Sequence, residues 1–126
     1  MIITLALSRP PESREGADFA RRVLLALAGH NAAFIRAGLL PRLYESKVRY
    51  RREKGESFQD ALCVLRQGWG DCSNLAAWRA AELMIVGQLA GIHVRWREYR
   101  DGLRGYHVLV RKTDGLIEDP SRLLGM

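Results

Sequence analysis

Apolar positions in the first third of the chain recur with the period of a helix. Phe19, Ala20, Val23, Leu24, Leu27 and Ala28 repeat at three- and four-residue intervals, which predicts an amphipathic helix over 15–28. Gly29 interrupts the pattern, 32–37 continues or restarts it, and Gly38 and Pro41 end it. Upstream, 1–7 is apolar and reads as a strand or an extended arm, and Pro10-Pro11 makes 8–12 a loop. The stretch 43–52 is ambiguous, because Tyr44, Val48 and Tyr50 suit a short helix or an extended piece, and Gly55 breaks it. Ser57, with Asp60 three residues on, predicts an N-cap for a short helix over 58–65. Gly68 and Gly70 then force a sharp turn.

The second half is plainer. Ala76, Ala80, Leu83, Met84 and Gly87 share one helical face and predict a helix over 72–86 that ends at Gly87 or Gly91. Alternating runs predict strands over 94–99, 106–111 and 116–119, joined by an Asp101-Gly102 turn and by Thr113-Asp114-Gly115. Helices first, then a central helix, then an antiparallel β-meander make an α+β fold. No repeat, linker or low-complexity stretch divides it, so 1–126 reads as a single domain, with 1–47 as its helical N-terminal part.

Composition changes this picture little. Apolar residues make up 48% of 126, enough for a core. Two cysteines, Cys63 and Cys72, do not make a disulfide framework and read as reduced thiols in a cytoplasmic protein. The apolar start has no basic flank and no cleavage site, and it is too short to span a membrane. The net charge is +6, with arginine supplying 17 of the 20 basic residues. They are spread along the whole chain, which favours a soluble surface over a nucleic-acid footprint. The tightest cluster, Arg49, Arg51, Arg52 and Lys54, is interrupted by Glu53. No phosphate-binding glycine loop, dinucleotide fingerprint or GxSxG elbow is present, and no cofactor is implied. Cys63, Cys72, His93 and His107 would be the ligands of a zinc-binding structural domain, but they lack the CxxC or HxxxH spacing such sites usually carry.

The chemistry concentrates at Gly68-Trp69-Gly70-Asp71-Cys72. A helix N-terminus lowers a thiol's pKa through its free N–H groups and the positive end of its dipole. With Gly70 or Asp71 as cap, Cys72 sits there, and its backbone N–H is a natural oxyanion donor. The plain alternative is a small buried hydrophobe at a helix start. His107 follows Cys72 by 35 residues and Asp119 follows His107 by 12, in the order of a thiol nucleophile, its base and the acid that orients the base. A geometric condition links the last two, since only residues on one face of a sheet meet. A two-residue loop would put Asp119 opposite Val110, on the wrong face. A three-residue Thr113-Asp114-Gly115 loop, which wants glycine at its third position, puts Asp119 opposite Leu109 and diagonal to His107. Of the other histidines, His30 reads as a surface or interhelical residue, and His93 competes with His107 but lacks an acid to orient it.

Gly70-Asp71-Cys72, the alanine-rich helix after it, Gly91-Ile92, the His107 strand and Glu118-Asp119-Pro120 together resemble the transglutaminase-like superfamily of papain-like-fold cysteine enzymes. Within it, the chain is similar to the small stand-alone members encoded among bacteriophage or prophage structural genes. The resemblance covers 48–126. It implies Cys72 as nucleophile, His107 as general base and acid, and Asp119 as the orienting residue. Trp69, Gly70, Asp71 and Gln59 are the candidates for oxyanion or substrate contacts. Where the family often has acidic residues after the cysteine, this chain has Ser73-Asn74. The implied activity is a cysteine protease acting on peptide or protein amides, with a phage structural protein as a plausible substrate. Amide transfer of the transglutaminase type, and an inactive binding or assembly module with a basic surface, are the alternatives.

Overall fold

The computed structural model describes residues 2–4, 14–53, 57–98, 100, 102 and 104–126. The loop expected over 8–12, the break at Gly55 and the Tyr99 and Asp101 positions lie outside them.

Helix α1, Arg14–Arg36, runs through Gly29 without a break. Gly29 is exposed and costs about 1 kcal/mol relative to alanine, but Leu27, Ala28, Asn31 and Ala32 on either side are buried and hold the helix straight through. It ends before Gly38, whose φ of 74° is left-handed. The ambiguous stretch resolves into a 3₁₀ turn, Leu43–Glu45, and a short strand β2, Arg49–Tyr50. The helix expected from Phe58 begins later. Ser57–Gln59 is instead a strand, β3, paired antiparallel with β1, Ile2–Thr4. The cap is Asp60, whose Oδ1 accepts the Cys63 N–H at 3.0 Å, and α2 spans Ala61–Gln67. Gly68, at φ 85°, closes α2 in the left-handed conformation. Strand β4, Trp69–Gly70, then lies parallel to β2.

Helix α3, Cys72–Ile85, is central. Its Ala76, Ala77, Ala80 and Leu83 join Leu24, Leu27 and Ala28 of α1 and four sheet residues, Ile92, Val94, Val108 and Val110, in one core cluster. Its Leu75 and Trp78 join Leu43, Val48, Ala61, Val64 and Leu124 in another. A helix buried between two clusters is apolar on most of its surface, so it carries a weaker periodic signal than α1.

The main sheet is antiparallel in the order β5-β6-β7: Leu89–Glu98, Arg104–Lys112 and Ile117–Glu118. Strand β5 starts well before residue 94, through an irregularity between Leu89 and Gly91. The β6–β7 register is the one the three-residue loop dictates. Val110 faces Glu118, Arg111 faces Ile117, and the Lys112 N–H bonds to the Leu116 carbonyl at 2.9 Å. Gly115, at φ 89°, takes the left-handed position of the turn. Continued one step past the end of β7, this register would set Asp119 opposite Leu109. The chain does not end in a strand: α4, Pro120–Leu123, follows at once, with proline in its first turn. The whole is a mixed α+β structure. No described helix is long and apolar enough to cross a membrane.

Candidate active site

The first turn of α3 is built around its cap. Asp71 Oδ1 accepts the Asn74 N–H at 3.0 Å and the Ser73 hydroxyl at 2.7 Å. A side chain at Gly70 would put its Cβ 3.2 Å from both Leu75 Cδ2 and Val64 Cγ1, so glycine allows the entering strand to lie this close to the helix. Asn74, buried, uses Oδ1 to accept the Gln59 N–H at 2.8 Å, which fastens β3 to the same turn. Cys72 is the first residue of this helix and only 8% exposed. Its thiol donates to the Tyr106 carbonyl at 3.6 Å, on the stretch of β6 that β7 leaves unpaired.

His107, the next residue of β6, is fully buried. Its Nε2 lies 2.8 Å from Asp119 Oδ2, so the diagonal contact predicted from the loop length is made. Asp119 Oδ1 accepts the Arg122 N–H of α4 at 3.3 Å. One carboxylate thus caps a helix with one oxygen and orients the imidazole with the other, which fixes its direction better than a single contact would. The remaining ring nitrogen, Nδ1, is buried and has no hydrogen-bond partner among the described residues.

Burial lowers the His107 pKa, and the nearby Arg97 and Arg95 add to the effect, against the hydrogen bond and charge of Asp119. The imidazole is therefore neutral at neutral pH, the form that accepts a proton. Burial likewise pushes Asp71 up to about 6, opposed by its hydrogen bonds from Ser73 and Asn74 and reinforced by the charge of Glu53. Burial pushes the Tyr50 phenol up to about 12, and Cys72 and Asp71 add to it; the ring packs against the core cluster that includes Cys72.

The other sequence candidates are distributed around this centre. Gln59 is buried against the first turn of α3, with its side-chain Oε1 lacking a hydrogen-bond partner among the described residues. Trp69 is half-buried on β4, and the Arg51 guanidinium lies 4.9 Å above its ring. His93 Nδ1 is 3.3 Å from an Arg111 nitrogen, so its neighbour is a cation and not an orienting acid. His30 is interhelical, with Nε2 3.2 Å from Asp60 Oδ2 and its ring edge-on to Phe34. Among the described residues no three or more of His, Cys, Asp and Glu converge as metal ligands, and Cys63, Cys72, His93 and His107 are not gathered.

A supporting cluster escaped the sequence reading. Arg79 of α3 bonds Glu118 Oε2 at 2.6 Å and Glu82 Oε1 at 3.0 Å. The Tyr44 hydroxyl donates to the same Glu118 oxygen, and its ring lies under the guanidinium at 5.2 Å. Glu82 Oε2 accepts the Leu43 N–H at 2.8 Å. Against burial, the bonds from Arg79 and Tyr44 hold Glu118 below the usual carboxylate range. The cluster ties the helix that carries Cys72 to the strand residue just before Asp119. Its only trace in the sequence is Arg79 with Glu82 one turn later, the charged residues of α3.

Compared with known proteins, the chain has no significant match to a family model, a curated protein or a solved structure.

Proposed function

We propose that this chain is a thiol-dependent acyl-transfer enzyme of transglutaminase-like, papain-like type that hydrolyses peptide or protein amides. The observation that carries the reading is the bond from His107 Nε2 to Asp119 with Nδ1 left over, on a strand whose preceding residue, Tyr106, accepts the thiol of a cysteine at a helix start. In this reading the Cys72 sulfur attacks the amide carbonyl while its proton passes to His107 Nδ1. The tetrahedral oxyanion is met by N–H groups at the start of α3, with the Gln59 amide as the side-chain candidate. Its collapse breaks the C–N bond, and His107 returns the proton to the leaving amine. Water, deprotonated by His107, then attacks the thioester and releases the carboxylic acid and the thiol. An amine in place of water would give transamidation. Hydrolysis is the reading we favour, because water needs no second-substrate site of its own. A phage structural protein is the substrate that the sequence resemblance suggests.

A binding module of the same fold is the second reading, and the 8% exposure of Cys72 is the observation in its favour. An activated ester separates the two. With p-nitrophenyl acetate, an acyl-transfer site releases nitrophenolate and transiently carries an acetyl group on Cys72, seen by intact-mass and peptide mapping. A protein acetylated no faster at Cys72 than at Cys63 is a binding module.

A further inference from the structure

One face of the β5–β6 pair carries His107 and is cationic at its exposed positions. The register puts Arg95 opposite His107, Arg97 opposite Gly105 and His93 opposite Leu109. Because side chains alternate along a strand, His93, Arg95 and Arg97 share a face with His107 and Arg111. Arg95 and Arg111 are exposed and make no ion pair among the described residues. The acid that the ladder brings to this face is Asp119, already engaged by His107. Glu98 and Glu118, paired with Arg104 and Val110, belong to the opposite face. Arg111, Arg95 and Arg21 add to burial in driving the proton from His93. Like charges so arranged repel, and an anion laid across them relieves the repulsion.

We propose that this face receives an acidic segment of a polypeptide, and, resting on the acyl-transfer reading, that the segment adjoins the amide offered to Cys72. The spacing suits an extended chain. Arg95 and Arg111 lie four residues apart along the ladder, ~14 Å, which is also the interval between acidic side chains four apart on one face of an extended peptide. Single-stranded nucleic acid fits less well, since it needs aromatic rings to stack on. The aromatic residues of this strand pair, Trp96 and Tyr106, stand opposite each other on the other face, packed edge to face at 5.7 Å.

The test is fluorescence anisotropy of a labelled oligoglutamate peptide with the full chain at low salt, beside oligothymidylate and oligolysine probes. Cys72 alkylation is followed in the same samples. The expected result is oligoglutamate binding that weakens with salt, slows Cys72 alkylation, and is about tenfold weaker in Arg95→Glu/Arg111→Glu through loss of exposed ion pairs. Oligoglutamate that fails to bind, binds the double variant equally well, or is outcompeted by oligothymidylate of equal charge overturns the proposal. Anisotropy does not depend on thiol reactivity. Binding with an inert Cys72 therefore refutes the substrate role and the acyl-transfer reading together, whereas a reactive Cys72 without binding refutes only the acidic-segment proposal.

Discussion

Asp119 has two tasks, and they can be separated. Its Oδ1 caps α4 through the Arg122 N–H, and its Oδ2 faces His107. Asp119→Asn keeps an oxygen for the cap and removes the charge. That charge, with its hydrogen bond, raises the His107 pKa against burial, so in the variant the imidazole pKa falls further below its ordinary value. Titration of the His107 ring followed by NMR, expected to move to lower pH in Asp119→Asn, checks this; an unchanged titration would mean that Asp119 exerts no field on the ring. The three candidate residues were legible because each stands beside a local signal. Gly70-Asp71 marks a helix start before Cys72, alternation sets the face of His107, and the Thr-Asp-Gly loop fixes the register of Asp119. The second task of Asp119 was also signalled by Pro120, which suits a first helical turn as well as a strand end.

Between elements, the contact that matters most is the tie from α3 to β7. Arg79 reaches Glu118 and Glu82 and rests on Tyr44. Replacing it with leucine leaves two half-buried carboxylates without their cation, and such losses are worth about 1–3 kcal/mol after allowance for partial exposure. Urea unfolding of Arg79→Leu is expected to show that loss, with Glu118→Gln at the smaller end of the range; a variant as stable as the parent would make the cluster incidental. Sequence reading was least accurate at this scale. Ser57, with Asp60 three residues on, predicts a helix that begins at Phe58, whereas the strand pairing that delays it to Ala61 comes from Ile2–Thr4, more than fifty residues away. Helix α1 continued through Gly29 because flanking core contacts outweigh one residue's propensity. Long-range pairing and packing leave no periodic trace at the residues they govern.

Across the whole molecule, Cys72 comes from the central helix, His107 from the middle strand of the sheet, and Asp119 from the junction between β7 and α4. None of the three is near another in sequence, so the His107–Asp119 bond and the approach of the Cys72 thiol to the Tyr106 carbonyl are properties of the complete fold. The α+β class and the order of elements were readable from hydrophobic period; the two small sheets and the terminal helix were not, being too short to show one. If the approach of Cys72 to the strand that carries His107 has chemical meaning, the two residues act as a unit. The decisive measurement is the pH dependence of Cys72 alkylation by iodoacetamide, read by mass spectrometry, with Cys63 as internal control and His107→Ala beside the parent. A coupled site labels Cys72 rapidly well below pH 8, faster than Cys63, and the variant labels it more slowly or only at higher pH. Cys72 labelled no faster than Cys63, and at the same rate without His107, would contradict a catalytic role.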